Sequence, residues 1–368
     1  MNHKSNRELT AERTEKPQGR IVYLDLLRIA ATIAVIWLHI SATGWEIVPI
    51  GLPQWQIFNV FDSAVRVCVP AFVMISGVFF LDNSRELPIS HLFKRNILRI
   101  LTAFLFWSTA YAAGHVVFDA AAERRIGPWL VDRFFEYVLR GHYHLWFLFT
   151  IAGLYLITPF LRRISSDKKL VEYFLLLSFL FCFTGNLLKL IPAVGEHITF
   201  FFNASHLHFV LGYTGYFFLG YYLHRYGVSR KIRAAAYMMA VFGFLVTAGG
   251  TDFLVSISGR ARQELYSELL PTTFFVSGGV FLLFQQCFAN MSLKGKTAAA
   301  VQKISGLSFG IYLIHDLFRM LFTAGRMSAF LTSNPVLAVP ALTGIVFLCS
   351  LLSAAAVKRL PVLRRYIL

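Results

Sequence analysis

The first apolar segment of the sequence contains an arginine and a histidine whose spacing suits chemistry on one helical face. Arg28 and His39 are eleven residues apart, so in an α-helix they are separated by about 1,100°, three turns plus about 20°, and by ~16 Å along the axis. A histidine there can act as a general base or accept a transferred group itself. Asp25, three residues before Arg28, can pair with it. The alternative is that Arg28 and His39 lie at the two membrane edges without a chemical role.

Two later segments place histidines beside other polar residues within apolar sequence. His315 is followed by Asp316 and, one turn later, by Arg319. This histidine suits the role of acid, base or acceptor, and equally that of a buried residue bonded to a neighbouring helix. His144 and Trp146 begin a further apolar run, where the alternative is that imidazole and indole only anchor the chain at the interface.

Asp62 and Arg66 lie four residues apart in the second apolar run. Charged residues at this spacing share one helical face and pair there. We therefore expect an intramembrane ion pair ahead of a catalytic role.

Lys94, Arg95 and Arg99 precede the third apolar run. At the start of a helix, arginine forks and the positive end of the helix dipole together suit the phosphates of an anionic ligand. The alternative is that these residues follow from membrane topology alone, because cytoplasmic loops are rich in lysine and arginine.

The composition of the chain requires a membrane as the solvent for much of it. Hydrophobic residues make up 57% of the 368, charged residues only 15%, and the mean hydropathy is +0.60, outside the range of soluble domains. The net charge of +16 does not indicate nucleic acid, because the basic residues lie in short clusters between apolar runs. The four cysteines share no short spacing, so neither a disulfide framework nor a metal site is predicted.

The elements that position these residues are predicted to be about ten transmembrane helices in an all-α bundle. Runs near 20 apolar residues suffice to cross the hydrocarbon. Lysine and arginine alternate between rich and poor loops, which places both termini in the cytoplasm. We expect a disordered tail over 1–20, a membrane domain over 21–357 and a basic tail over 358–368, with an amphipathic interfacial helix over 129–140. The predicted spans are 21–41, 56–80, 97–119, 144–161, 170–191, 207–224, 234–255, 269–289, 305–328 and 334–357.

Taken in order, these motifs resemble the acyltransferase-3 family of membrane acyltransferases, which modify envelope saccharides. The resemblance covers residues 21–357, and it includes the R-x10-H pattern of Arg28 and His39. Asn96 departs from it, because the family's basic motif often reads R-x-x-R and Asn96 stands where its first arginine would. The other matching stretches are Val69–Phe80, Lys94–Arg99, His144–Leu148 with Tyr155–Pro159, Phe218–Leu223 and Ser308–His315.

The resemblance implies a donor, an acceptor and a set of site residues. Acyl-CoA, most often acetyl-CoA, would donate from the cytoplasm to a hydroxyl of an envelope saccharide or lipid-linked sugar outside, and no bound cofactor is implied. His39 and Arg28 would be catalytic. The donor would bind at Lys94, Arg95 and Arg99, and the acceptor side would be lined or supported by His144, Trp146, His315, Asp25 and Tyr312.

A second function class stays open, a multi-span transporter or flippase of a saccharide or anionic substrate. Such a protein also places paired charges near the bilayer midplane. Inverted repeats with broken helices would favour it, and none is evident in the sequence. For either class we expect a multi-pass protein of the bacterial cytoplasmic membrane, with its oligomeric state left open.

Overall fold

The computed structural model describes residues 20–84, 86–124, 126–205, 212–323 and 326–360, and within them the chain is helical with no β-strand. The all-α membrane bundle is therefore confirmed. Short helical turns link longer helices, which are numbered here in chain order. They are α1 Val22–Ile47, α2 Pro53–Val65, α3 Cys68–Phe80, α4 Leu98–Glu123, α5 Trp129–Arg140, α6 Trp146–Ser165, α7 Lys168–Leu177, α8 Gly195–Ser205, α9 Thr214–Arg225, α10 Arg230–Ser258, α11 Pro271–Phe288, α12 Gly295–Ser305, α13 Ser308–Phe322, α14 Arg326–Ser333 and α15 Pro335–Val357.

Among the described residues, eight helical segments are long and apolar enough to cross a membrane. The pair α12 and α13, bent by 62°, makes a ninth if it is one span. The predicted span 207–224 begins outside the described residues, and its remainder is α9, whose Tyr216, Phe217 and Phe218 are fully buried. Most of the two predicted tails also lies outside the described residues, and the cytoplasmic location of both ends stays a prediction.

Helix α1 runs through the centre of the bundle. It packs against α2, α3, α11, α13 and α15, and Leu24, Leu27, Ile36 and Ile40 are almost fully buried. The helix is continuous from Val22 to Ile47, so it fixes the relative position of the polar residues on its faces. A central helix surrounded by protein can carry such residues without exposing them to lipid.

Two glycines allow α3 and α9 to approach backbone to backbone. A Cβ atom on Gly77 would lie 1.9 Å from the carbonyl oxygen of Phe217, and one on Gly220 would lie 2.2 Å from that of Met74. Small residues permit this close packing in membranes. Pro70 lies in the first turn of α3, just after the break that separates α3 from α2, where proline is tolerated.

The start of the third span is a π-helical turn over Leu92–Ile97 that continues into α4. Such turns shift the helical register and are frequent at functional sites. On the opposite side of the bundle, α5 is the predicted amphipathic helix, and Ser108 of α4 donates to its Val138 carbonyl at 2.6 Å. Its Phe135 and Leu139 are exposed, as expected of a helix at an interface.

Candidate active site

Two cavities enter the bundle from opposite ends and meet at three aromatic residues. The inner cavity, about 310 Å³, is lined by Arg28, Arg95 and Arg99 among others. The outer cavity, about 230 Å³, is lined by His39 and His144 among others. Both include Phe72, Phe147 and Tyr312 in their walls. These three side chains, called the septum below, are the boundary between the two cavities.

The inner cavity is built to receive negative charge. Three guanidiniums, of Arg28, Arg95 and Arg99, line it, and none of the described residues in its wall is a carboxylate. Arg99 also lies over the ring of Phe309, with 5.0 Å between the guanidinium carbon and the ring centroid. Arginine in this arrangement binds phosphate through paired hydrogen bonds.

Asn96 stands where the family's basic motif has an arginine, yet the wall of the inner cavity still contains Arg28, Arg95 and Arg99. Asn96 itself lines the inner cavity, and its amide oxygen is buried without a hydrogen-bond partner in the described residues. Arg95, one position earlier, lies in the same π-helical turn and also faces the cavity. Lys94, predicted with them as a donor-binding residue, is exposed and is not part of the wall.

Asp25 holds the inner end of α1 against α12. It is buried, accepts from the Ser305 hydroxyl at 2.6 Å and forms an ion pair with Arg20. The predicted pair with Arg28 is present but longer, at 3.8 Å, and Arg28 also approaches the Ser305 hydroxyl at 3.3 Å. Because Asp25 is occupied by other donors, the Arg28 guanidinium remains directed along the cavity wall.

His39 faces the outer cavity and is positioned by ring packing. Its ring stacks on that of His315, with centroids 5.3 Å apart and planes inclined by 24°, and Tyr143 meets it edge-on at 5.2 Å. The ring nitrogens of His39 make no hydrogen bond to the described residues. A base or nucleophile needs such a nitrogen available to its substrate.

The two ring nitrogens of His315 differ, because one is hydrogen-bonded and the other is not bonded to any described residue. Its Nδ1 lies 2.6 Å from the carbonyl oxygen of Tyr312, and since a carbonyl only accepts, Nδ1 carries the proton. Its Nε2 is therefore an acceptor, and it is buried without a partner in the described residues. His315 is buried as the alternative reading expected, but its bond is to Tyr312 of its own helix and not to a neighbouring helix. Its chemical role beside His39 stays a prediction.

Asp316 is the centre of a hydrogen-bond network behind His39. Its carboxylate is fully buried and accepts from Tyr143 at 2.7 Å and from two nitrogens of the Arg319 guanidinium, and one carboxylate oxygen lies 3.3 Å from His142 Nε2. Arg319 donates in turn to Thr43 at 2.9 Å, one turn beyond His39 on α1. The network ties α13, the start of α6 and the outer end of α1 together.

His142, His144 and Asp316 have the residue types of a metal site, and their ligand atoms lie within 4.8 Å of one another. Both Asp316 oxygens already accept hydrogen bonds, and the Arg319 guanidinium lies beside them. His142 and His144 contact each other through their Nδ1 atoms at 2.8 Å. A cation would displace these bonds next to a fixed positive charge, so the donor set fits a hydrogen-bond network better than a metal.

The remaining predicted residues lie around the septum and the outer cavity. His144 and Trp146 line the outer cavity, and the Tyr312 hydroxyl donates to the carbonyl of His144. The sequence analysis missed Tyr143, which touches both His39 and Asp316. Its position between two histidines in a run ending in tryptophan was the available signal.

The expected ion pair of Asp62 and Arg66 is confirmed at 2.5 Å. It is part of the wall of the outer cavity rather than a contact between lipid-facing helices. Arg66 also lies 3.9 Å from the Glu268 carboxylate and over the Tyr266 ring at 4.4 Å. The loop before α11, which the sequence analysis did not single out, thus forms part of the cavity.

Comparison with known proteins agrees with this architecture. The model of the family described as an acyltransferase domain, Acyl_transf_3, matches residues 21–355. Two proteins of Staphylococcus epidermidis, each named a probable poly-beta-1,6-N-acetyl-D-glucosamine export protein, are 23% identical over 271 residues, covering 72% of this chain and 70% of theirs. No solved structure is significantly similar. Since the family model spans nearly the whole membrane bundle, the chain belongs to the acyltransferase-3 family.

Proposed function

We propose that this protein is an O-acyltransferase of the bacterial cytoplasmic membrane. It moves an acyl group, acetyl in the simplest case, from cytoplasmic acyl-CoA to a hydroxyl of an envelope saccharide on the outer side. The observation that carries the proposal is the pair of cavities, with three arginines in one and His39 in the other, meeting at the septum. Donor and acceptor would thus approach from opposite faces.

The inner cavity supplies the donor site. The phosphates of CoA would pair with Arg95 and Arg99 near the mouth, where the guanidiniums can fork onto phosphate oxygens. Arg28, which also lines the cavity and is less exposed than Arg95 and Arg99, would contact the pantetheine arm or the thioester as it reaches towards the septum. The thioester carbonyl would then lie near Tyr312, within reach of the outer cavity.

His39 supplies the reacting group by one of two routes. As a general base it takes the proton of the acceptor hydroxyl while that oxygen attacks the thioester carbonyl and the CoA thiolate leaves. As a nucleophile it forms an acyl-imidazole as the thiolate leaves, and the acceptor oxygen then attacks that intermediate while its proton returns to the thiolate or to water. Both routes need an imidazole nitrogen open to the cavity, which His39 has.

The acceptor side has the features of a saccharide site. Trp45, Trp146, Tyr143 and Tyr266 line the outer cavity, and aromatic faces suit the apolar faces of sugar rings. The Staphylococcus relatives are named for poly-beta-1,6-N-acetyl-D-glucosamine, which supports a polysaccharide as the acceptor.

Replacing His39 tests the proposal. The His39→Ala variant, purified and supplied with radiolabelled acetyl-CoA and envelope glycan, should transfer no acetyl group while still binding acetyl-CoA. His197→Ala is the matched control, because His197 is exposed and outside both cavities. Full transfer by His39→Ala would reject the mechanism.

Glycan export is a second candidate, favoured by the name of the Staphylococcus relatives. Cavities from both ends of a bundle also suit transport by alternating access. The two are separated by acetyl-CoA binding and turnover, since an exporter without acyltransferase activity shows neither, and by glycan uptake into vesicles, which an acyltransferase alone does not catalyse.

A further inference from the structure

The outer cavity differs from the inner one in the sign of its charged residues. Its wall contains the carboxylates of Glu46, Asp62 and Glu268 and a single guanidinium, that of Arg66. Asp62 pairs with Arg66 at 2.5 Å, while the Glu268 contact to Arg66 is longer, at 3.9 Å. One pair is thus neutralised, and two carboxylates remain in excess.

No other described cation changes this balance from within the wall. Arg319, behind Tyr143, is bound by Asp316 on both sides of its guanidinium. Arg262, beside the wall residue Gln263, pairs with Glu264 at 2.7 Å. A low-dielectric cleft lined by one sign of charge focuses its field on whatever enters.

The same cavity contains a buried ring nitrogen that has no hydrogen-bond partner among the described residues. His144 is only 2% exposed and lines the cavity, and its Nε2 is buried without a hydrogen bond to any described residue. An unsatisfied buried polar atom is costly unless something else bonds it. A ligand hydroxyl would satisfy this nitrogen, since a hydroxyl can both donate and accept.

We propose that the outer cavity selects a saccharide that carries no negative charge on the units it holds, such as a neutral or amine-bearing hexosamine, and rejects uronate and phosphate. This inference deepens the proposed function and rests on it. The same field opposes the passage of the CoA phosphates beyond the septum, so the two cavities separate donor from acceptor by charge. Glu46 and Glu268 are then specificity-determining residues.

The sign of the electrostatic potential in the outer cavity is measured by labelling a thiol there with charged reagents. An Ala42→Cys thiol would lie in the cavity wall, and an Ile126→Cys thiol on an exposed outer loop is the control. Cys68, Cys287 and Cys349 are replaced by alanine, and Cys182 is buried. The probes are methanethiosulfonates bearing a trimethylammonium, a sulfonate or a methyl group, reacted with the purified protein in nanodiscs.

The cationic probe should modify Ala42→Cys faster than the anionic one, with a rate ratio about tenfold above that at Ile126→Cys. Adding Glu46→Gln and Glu268→Gln should lower the ratio of cationic to anionic rates at Ala42→Cys to the value at Ile126→Cys. The rate of the uncharged methyl probe at Ala42→Cys should be the same with and without these two substitutions. Equal ratios at the two positions, faster reaction of the sulfonate, or no reaction at Ala42→Cys would each overturn the proposal.

This labelling uses neither donor nor acceptor, so its result is independent of whether transfer is observed. Where transfer is observed, the wild-type protein should not acetylate a hexuronate oligosaccharide. Efficient transfer to that oligosaccharide would overturn the selectivity while leaving the acyltransferase activity intact.

Discussion

Removing one guanidinium from the inner cavity should weaken binding of the donor. Arg95 and Arg99 both line that cavity, beside Arg28. A hydrogen bond between charged groups contributes about 1.5–3 kcal/mol. Both side chains are exposed at the mouth, where solvent screens charge, so the lower value applies. Since 1.4 kcal/mol is a factor of ten in affinity, Arg95→Gln and Arg99→Gln should each raise KM for acetyl-CoA by about tenfold.

The assay is the initial rate of acetyl transfer against acetyl-CoA concentration at saturating acceptor, with binding measured separately by calorimetry because KM can include later steps. Lys94→Gln is the matched control, since Lys94 adjoins Arg95 but is outside the wall; its KM should change by less than about twofold. The reasoning is refuted if Lys94→Gln equals the arginine variants, or if these change only KM for the acceptor.

Two further predictions concern the framework of the site. Gly77→Ala should lower the free energy of unfolding by about 1–3 kcal/mol, because its Cβ would lie 1.9 Å from the Phe217 carbonyl oxygen and α3 and α9 must separate. Gly114→Ala is the control, since its Cβ would have nothing within 4 Å, and it should be neutral or slightly stabilising. Thermal midpoints in detergent measure both, and equal midpoints would contradict the close packing. Asp316→Asn should cost about 3–5 kcal/mol and abolish transfer, because Arg319 loses its buried counter-ion; exposed Asp132→Asn is the control, and a stable, active Asp316→Asn protein would show the network to be dispensable.

The sequence predicted the fold well because the bilayer imposes a simple rule. Long apolar runs must be helices, and eight of the ten predicted spans overlap apolar helical segments in the described residues, while the predicted span 305–328 overlaps α13. Helix α12, which contains Lys296 and Lys303, lies outside the predicted spans, and the next predicted span begins at residue 305, so neither α12 nor its 62° bend against α13 was predicted. The π-helical turn before α4 was also missed, because nothing in its sequence distinguishes it from an ordinary helix.

The candidate site was predicted where it depends on one helix and missed where it depends on several. Arg28 and His39 follow from the 3.6-residue period of α1, and the Asp62–Arg66 pair follows from its spacing. The stacking of His39 on His315 joins residues far apart in sequence, as does the contact of Tyr143 with Asp316. Such contacts are set by helix packing, which a single sequence does not contain.

The central claim is that an acyl group crosses the septum from a cytoplasmic donor to an outer acceptor, and vesicle sidedness tests it most directly. Inside-out membrane vesicles from cells that make the glycan are given radiolabelled acetyl-CoA, which does not cross the bilayer. Label should appear on lumenal glycan, protected from an added acetylesterase, a protein that does not cross the bilayer, until the vesicles are opened, and should be absent with His39→Ala. Label that is removable from intact vesicles, or that persists unchanged with His39→Ala, would contradict the account.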